Sequence, residues 1–313
     1  MMNLQVKLTE SMFEKAGFNE KEADNIGYSN YSYWRSTIRT FFKSPISKTL
    51  VILAGLFVLM AFFYPMFTSV DPIAPTIINN PELANNAPSA EHIFGTDNLG
   101  RDMWTRTWYG TRTSLLLGFV VAFFDITIGV IMGALWGYVE KMDRIMTEIY
   151  NVLVNIPQTI YLVLFTYIFT PGFWTIVLAM CVTGWLSVAM FIRNKVVAIR
   201  RSEYNIASRC LGTPLGRILS KNILPNLVSL IIMQTALTIP MTIGSEVFLG
   251  YIGLGLPGTS VVSLGDLIST GRAVFRFHSY QLWFPTLILS IITISFYVLG
   301  NRFADASDPK NHV

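Results

Sequence analysis

Charge is what this sequence has least of: 13% of its 313 residues are charged against 52% from the hydrophobic set, and its mean hydropathy is +0.48. Soluble domains carry about a quarter charged residues, so the balance argues for a polytopic membrane protein. Only two cysteines are present, which gives no disulfide framework. Cys181 falls in an apolar run and Cys210 in a charged loop, and both read as reduced thiols. The three histidines, His92, His278 and His312, are too dispersed in the expected topology to gather round a metal. There is no GxxxxGK[ST] phosphate loop, no HExxH and no GxSxG elbow. The chain therefore lacks a Walker-type ATP site of its own and any recognisable catalytic constellation. Met1 to Lys43 is polar and mixed in charge, so no cleavable leader is expected and the first apolar run reads as a retained anchor.

What is there is a series of apolar runs long enough to cross a bilayer core, which takes about 20 residues. The expected spans are Thr49 to Thr68, Leu115 to Tyr138, Ile145 to Phe169, a fourth ending near Ile192, Leu227 to Phe248, and Leu282 to Gly300. No Lys or Arg lies between Lys48 and Arg101, which puts the loop of residues 69–113 outside. The remaining basic residues then fall eighteen inside and five outside, so six transmembrane helices with both termini cytoplasmic is the expected arrangement. Residues 1–30 read as a polar cytoplasmic tail and residues 304–313 as a short cytoplasmic one. Residues 31–48 read as an amphipathic elbow, with Trp34, Ile38, Phe41 and Phe42 set against Arg35, Arg39 and Lys43. That segment is either a helix on an anionic membrane face or the positive flank of the first span.

Several polar residues sit where lipid would be costly. Asp125, mid-span, reads as a pathway-lining acid or as a carboxylate covered by neighbouring helices. Asn155, Pro157 and Gln158 interrupt the third span, as a pathway break or a simple kink. Glu246 lies in the outer half of the fifth span, as a charge near an external gate or a buried partner of Arg272 or Arg276. Gly129, Gly133 and Gly137 recur every fourth residue, a spacing that lets helices approach closely within one subunit or between two. The external stretch His92 to Leu115 is dense in Gly, Asp, Arg and Trp. Gly95, Gly100 and Gly110 suggest turns there, and Asp97 and Asp102 are the nearest candidate partners for Arg101, Arg106 and Arg112.

Residues 200–226 are the charged interruption in this apolar chain. Ser202 is placed to cap a helix opened by Glu203, with Ile206, Ala207, Cys210 and Leu211 on one face and Asn205, Ser208 and Arg209 on the other. Gly212 stops it. Thr213 and Pro214 then start a second helix with Leu215, Ile218 and Leu219 as its stripe, and Pro225 ends it at the membrane. Such a unit is either a docking element or a solvated linker.

Ile206-Ala207-Ser208, Gly212 and Leu224-Pro225 resemble the EAA loop of binding-protein-dependent ABC importer permeases, with the spacing kept. Ile206 stands in place of the usual Glu and Asn222 in place of the usual Ile, with Glu203 a possible substitute for the acid. The run FGTD, LGRD, YG-x-R and SL between His92 and Leu115, Glu246 followed by LGYIGLG, and Asp305 to Pro309 look like the C-type permease of peptide and nickel importers. The resemblance covers about Trp34 to Lys310. It implies a type I ABC permease fold and a non-catalytic half-channel for oligopeptides in the cell membrane. It also implies a homologous B-type permease as heterodimer partner, two cytoplasmic ATPases that use ATP and Mg, and an extracytoplasmic peptide-binding protein, with no nucleic acid and no cofactor on this chain. Glu203, Ile206, Ala207, Ser208, Arg209, Gly212, Leu215, Leu224 and Pro225 would then couple to the ATPases. A dipeptide or metal-chelate importer is the neighbouring reading, and a membrane signalling or enzyme subunit the more distant one.

Overall fold

A computed structural model describes residues 33–78, 80–170 and 172–307, so the expected tail of residues 1–30 and most of the C-terminal one lie outside the described residues. The described chain is helical. α1 (Tyr33–Lys43) leads into α2 (Pro45–Phe67), and a long polar loop then precedes α3 (Met103–Tyr138). α4 (Glu140–Val154), α5 (Gln158–Ile168), α6 (Phe173–Arg200) and α7 (Glu203–Cys210) follow. The last three are α8 (Leu215–Tyr251), α9 (Leu264–Ala273) and α10 (Tyr280–Ser307). The one β contact among the described residues is an isolated antiparallel bridge between Thr96 and Asp102.

Five helices, α2, α3, α6, α8 and α10, are long and apolar enough to cross a membrane, and the bent pair α4 and α5 makes a sixth candidate. α2 buries few of its side chains and turns Ile52, Leu56, Leu59, Phe63 and Met66 outward. An apolar stripe of that extent is a liability in water and costs nothing against lipid.

α3 is the axis of the bundle. Its Leu117 and Val121 meet Ile176 and Met180 of α6 and Leu162 of α5, while its Leu115 and Ala122 meet Ile239 of α8 and Ile288 of α10. The glycine series decides how closely it packs. A Cβ on Gly129 would lie 2.6 Å from Val188 Cβ, and one on Gly137 would lie 2.7 Å from the Arg193 carbonyl oxygen, so the α3–α6 crossing admits no side chain there. The glycines thus serve packing within the chain rather than a seam between chains.

Three boundaries differ from the sequence expectation. α3 begins at Met103 instead of Leu115, because Asp102 accepts a hydrogen bond from the Thr105 amide and nucleates the helix one loop early. The third span is no straight helix: α4 and α5 meet at 75° across Asn155 to Pro157. The second loop helix is not closed at Pro225 either. It runs through a π stretch (Ile218–Ile223) and a 3-10 turn (Leu224–Leu227) into the long α stretch, a change of register that absorbs the missing proline N–H.

Candidate functional site

Residues 200–226 fold as a helix, a turn and the opening of a long helix. Ser202 occupies the N-cap of α7 with extended backbone, yet its Oγ donates to the Ile199 carbonyl (2.7 Å) instead of accepting from the helix. Asn205 Nδ2 donates to the same carbonyl (2.9 Å), so the end of α6 draws the polar side of α7 inward. Asn205 is consequently buried, and the apolar side faces out: Ile206 is 49% exposed and Leu211 85%, with Ala207 and Cys210, and the charged Glu203 and Arg209, also exposed. Gly212 has φ +74°. Its amide donates to Arg209 O and that of Thr213 to Ser208 O (3.0 and 3.1 Å), the paired closure of a helix ending on a left-handed residue. Pro214, one residue later than expected from Thr213, is the N-cap of the next helix, and Leu215 is exposed while Ile218 and Leu219 are buried.

Two contacts tie this unit to the bundle. Arg209 sits over the Tyr138 ring (5.9 Å) and Arg200 donates to the Tyr138 carbonyl (2.9 Å). Asn222, the departure from the family pattern, donates through Nδ2 to Asn205 Oδ1 and Ser208 Oγ, each at 3.2 Å, and so clips α8 to α7. Leu224 is half-buried and Pro225 exposed. Asn222→Ile leaves the buried Asn205 oxygen without this donor, a loss of about 1–2 kcal/mol. We expect roughly tenfold faster amide exchange across α7, read by hydrogen-exchange mass spectrometry, with the spans unaffected.

The four pathway candidates separate. Asp125 and Gln158 line one polar cavity of about 90 Å³ between α3, α5, α6 and α8, together with Ser187, Gln234, Thr238, Thr242 and Ser245. Asp125 is 4% exposed, and a Cβ on Gly184 would collide with its carboxylate, so the α3–α6 crossing is open at that point only for glycine. Asn155 is not on this cavity: its Nδ2 donates to the Asn151 carbonyl, closing the end of α4 on the exposed side of the bend.

Glu246 is not there either, and it pairs with neither arginine. It is fully buried, with Ser114 Oγ donating to Oε2 (3.0 Å) and Ser263 Oγ to Oε1 (2.6 Å). Those hydroxyls in turn accept the amides of Leu264 and Asp266 (3.1 Å each), so one carboxylate joins α3, α8 and the start of α9. Arg272 instead lies 4.2 Å over the Tyr251 ring, and Arg276 is exposed. Two serines supply the donors an arginine was expected to give.

In the stretch from His92, Gly95 and Gly100 take left-handed turns (φ +73° and +74°), whereas Gly110 is no turn: it lies inside α3, where a Cβ would come within 3.0 Å of the Ser263 backbone. Asp97 accepts from the Leu99 and Arg101 amides (2.9 Å each) and from Arg101 Nε (2.7 Å). Arg106 is almost wholly buried and reaches Asp97 (3.6 Å), one of its two expected partners, and also Asp266 (3.3 Å), which was not among them. Burial pushes the Asp266 carboxyl above its ordinary pKa, with Arg106 and then Arg101 pulling it back. Asp102 partners no arginine; it caps α3 and meets His92 Nδ1 at 3.0 Å. Arg112 lies over the Phe62 ring at 6.0 Å instead of on a carboxylate. Among the described residues no group of three or more His, Cys, Asp or Glu is placed to hold a metal ion.

A family model described as a binding-protein-dependent transport system inner membrane component matches residues 125–313, and one described as the N-terminal TM domain of oligopeptide transport permease C matches residues 32–88. The oligopeptide transport system permease protein AmiD of Streptococcus pneumoniae is 39% identical over 93% of this chain and 94% of its own. The oligopeptide transport system permease protein OppC of Bacillus subtilis is 35% identical over 97% and 98%, and the dipeptide transport system permease protein DppC of the same organism 38% over 93% and 90%.

Proposed function

The chain belongs to the family of binding-protein-dependent transport system inner membrane components, and on that premise we propose that it is one half of the membrane pathway of an ATP-driven oligopeptide importer. It is a non-catalytic, multi-pass membrane subunit. It crosses the bilayer six times, the α4–α5 pair serving as one bent span, with both termini in the cytoplasm. A homologous permease completes the pathway, and a peptide-binding protein delivers substrate outside. Two ATPases holding ATP and Mg bind inside.

One observation carries the coupling role: α7 keeps its polar side against α6 and α8 and offers Ile206, Leu211 and Leu215 outward. An isolated permease has no reason to expose these side chains beside charged Glu203 and Arg209, whereas an ATPase groove would bury them. α7 also contacts α6 and the start of α8 directly, so a push on it moves two spans at once. Dipeptide transport is the second reading, favoured by the 38% identity to a dipeptide permease.

The test uses the complete complex in proteoliposomes. A labelled oligopeptide is expected to accumulate only with ATP on the ATPase side and the binding protein on the other. A maleimide carrying a photoactivatable group, attached to exposed Cys210, is expected on illumination to cross-link this chain to an ATPase subunit. ATP-independent uptake would remove the importer reading, and complexes that transport but never cross-link from Cys210 would remove the docking role of α7.

A further inference from the structure

The cavity at Asp125 holds a carboxylate and no cationic side chain. The carboxylate sits on a membrane-spanning helix, 4% exposed, and Oδ1 is buried without a hydrogen-bond partner. The Cys181 thiol is its one side-chain hydrogen-bonding neighbour. No Lys, Arg or His lines the cavity. Three of the four hydroxyls around it have already spent their hydrogens: Ser187 Oγ donates to Gly184 O (2.9 Å), Thr238 Oγ to Gln234 O (2.9 Å) and Ser245 Oγ to Met241 O (3.0 Å). A hydroxyl whose proton is committed to a helix carbonyl presents only lone pairs to a cavity.

A buried carboxylate with one unpartnered oxygen, committed hydroxyls beside it and no cation in the lining favour a ligand that donates hydrogen bonds and carries positive charge, while the Gln158 and Gln234 amides can serve as either donors or acceptors. An ammonium group has three donors and no acceptor. The cavity's 90 Å³ has room for such a head group and water beside it. We propose that the Asp125 cavity is a transient subsite for a primary ammonium group of the peptide crossing the membrane. This deepens the oligopeptide reading and rests on it. The source of the ammonium is either the free N-terminus or a lysine side chain.

The experiment measures uptake by the full complex in proteoliposomes of three peptides of one sequence: free N-terminus without lysine, N-acetylated without lysine, and N-acetylated with one lysine. Each is measured for the wild type and for Asp125→Asn. Selectivity of the external binding protein is common to both proteins and cancels in the comparison. The preference for the free amine over the acetylated lysine-free peptide is expected to fall roughly tenfold in Asp125→Asn, the scale of one charge-assisted hydrogen bond lost. If the acetylated lysine peptide follows the free amine, the side chain also fills the site; if it follows the acetylated peptide, the N-terminus alone does. An unchanged preference overturns the subsite and leaves the importer reading intact. A wild type that takes up no peptide overturns both. Should Asp125→Asn fail to assemble, Thr242→Val, near-isosteric and on the same lining, carries the test with the same two outcomes.

Discussion

Glu246→Leu is expected to produce the largest loss of stability of any single substitution in the membrane core, seen as a lower unfolding temperature of the detergent-solubilised protein. The carboxylate is fully buried and receives Ser114 Oγ from α3 and Ser263 Oγ from the loop before α9. Leucine fills similar space but accepts nothing. Two buried hydroxyls then lose their acceptor, at about 1–3 kcal/mol each. Their other role, accepting the Leu264 and Asp266 amides, persists, so adding Ser114→Ala and Ser263→Ala would orphan those amides and recover only part of the loss. Glu246→Gln should fall between, because the amide keeps the shape and one acceptor but turns an NH₂ toward one serine. The contact is tight as well: a Cβ on Gly265 would approach Oε1 to 2.6 Å, so the glycine-rich loop is moulded on this side chain. A Glu246→Leu protein that unfolds with the wild type would show that the clasp contributes nothing. Charge at an external gate predicts the opposite pattern, with stability retained and uptake lost.

What the sequence makes legible here follows from the range of the interaction. The α3–α6 crossing is written locally, because glycines at positions 129, 133 and 137 leave one helix face bare whatever the partner, and that face lies on α6. The left-handed stop at Gly212 is equally local, needing only a glycine after an amphipathic stretch. The Glu246 clasp is not, since Ser114 lies 132 residues away and a serine carries no periodic signal. The second partner of Arg106 escapes for the same reason: Asp266 is 160 residues on, whereas Asp97 is close enough in sequence to be expected. The direction in which α7 faces was beyond periodicity altogether. A moment identifies two sides of a helix, and it is the bonds of Asn205 Nδ2 to the Ile199 carbonyl and of Asn205 Oδ1 from Asn222 that hold Asn205 inward. Asn222 reads as a departure from a family pattern in the sequence. In the fold it answers the buried Asn205 oxygen and Ser208, a reason no one-dimensional pattern contains.

Gly212→Val is expected to cut ATP-driven uptake by at least about tenfold while leaving membrane insertion and span packing as they are. The second half follows from space: a Cβ at Gly212 meets nothing within 4 Å, so no neighbour in this chain is displaced. The first half follows from backbone conformation. At φ +74° an L-residue costs about 1–2 kcal/mol, and a β-branched one sits at the upper end. Relieving that strain means giving up the closure of α7 in which the Gly212 amide reaches Arg209 O and the Thr213 amide reaches Ser208 O. α7 then loses its fixed angle to α8, and a coupling helix presented at the wrong angle transmits no movement. The order of variants separates this cause from a steric one. Asparagine tolerates the left-handed region, so the backbone account expects Gly212→Asn to retain more uptake than Gly212→Ala, and Ala more than Val. If the variants instead rank by side-chain volume, with Ala above Asn, the limit is space in the partner's groove, and conformational freedom at Gly212 is not what coupling requires.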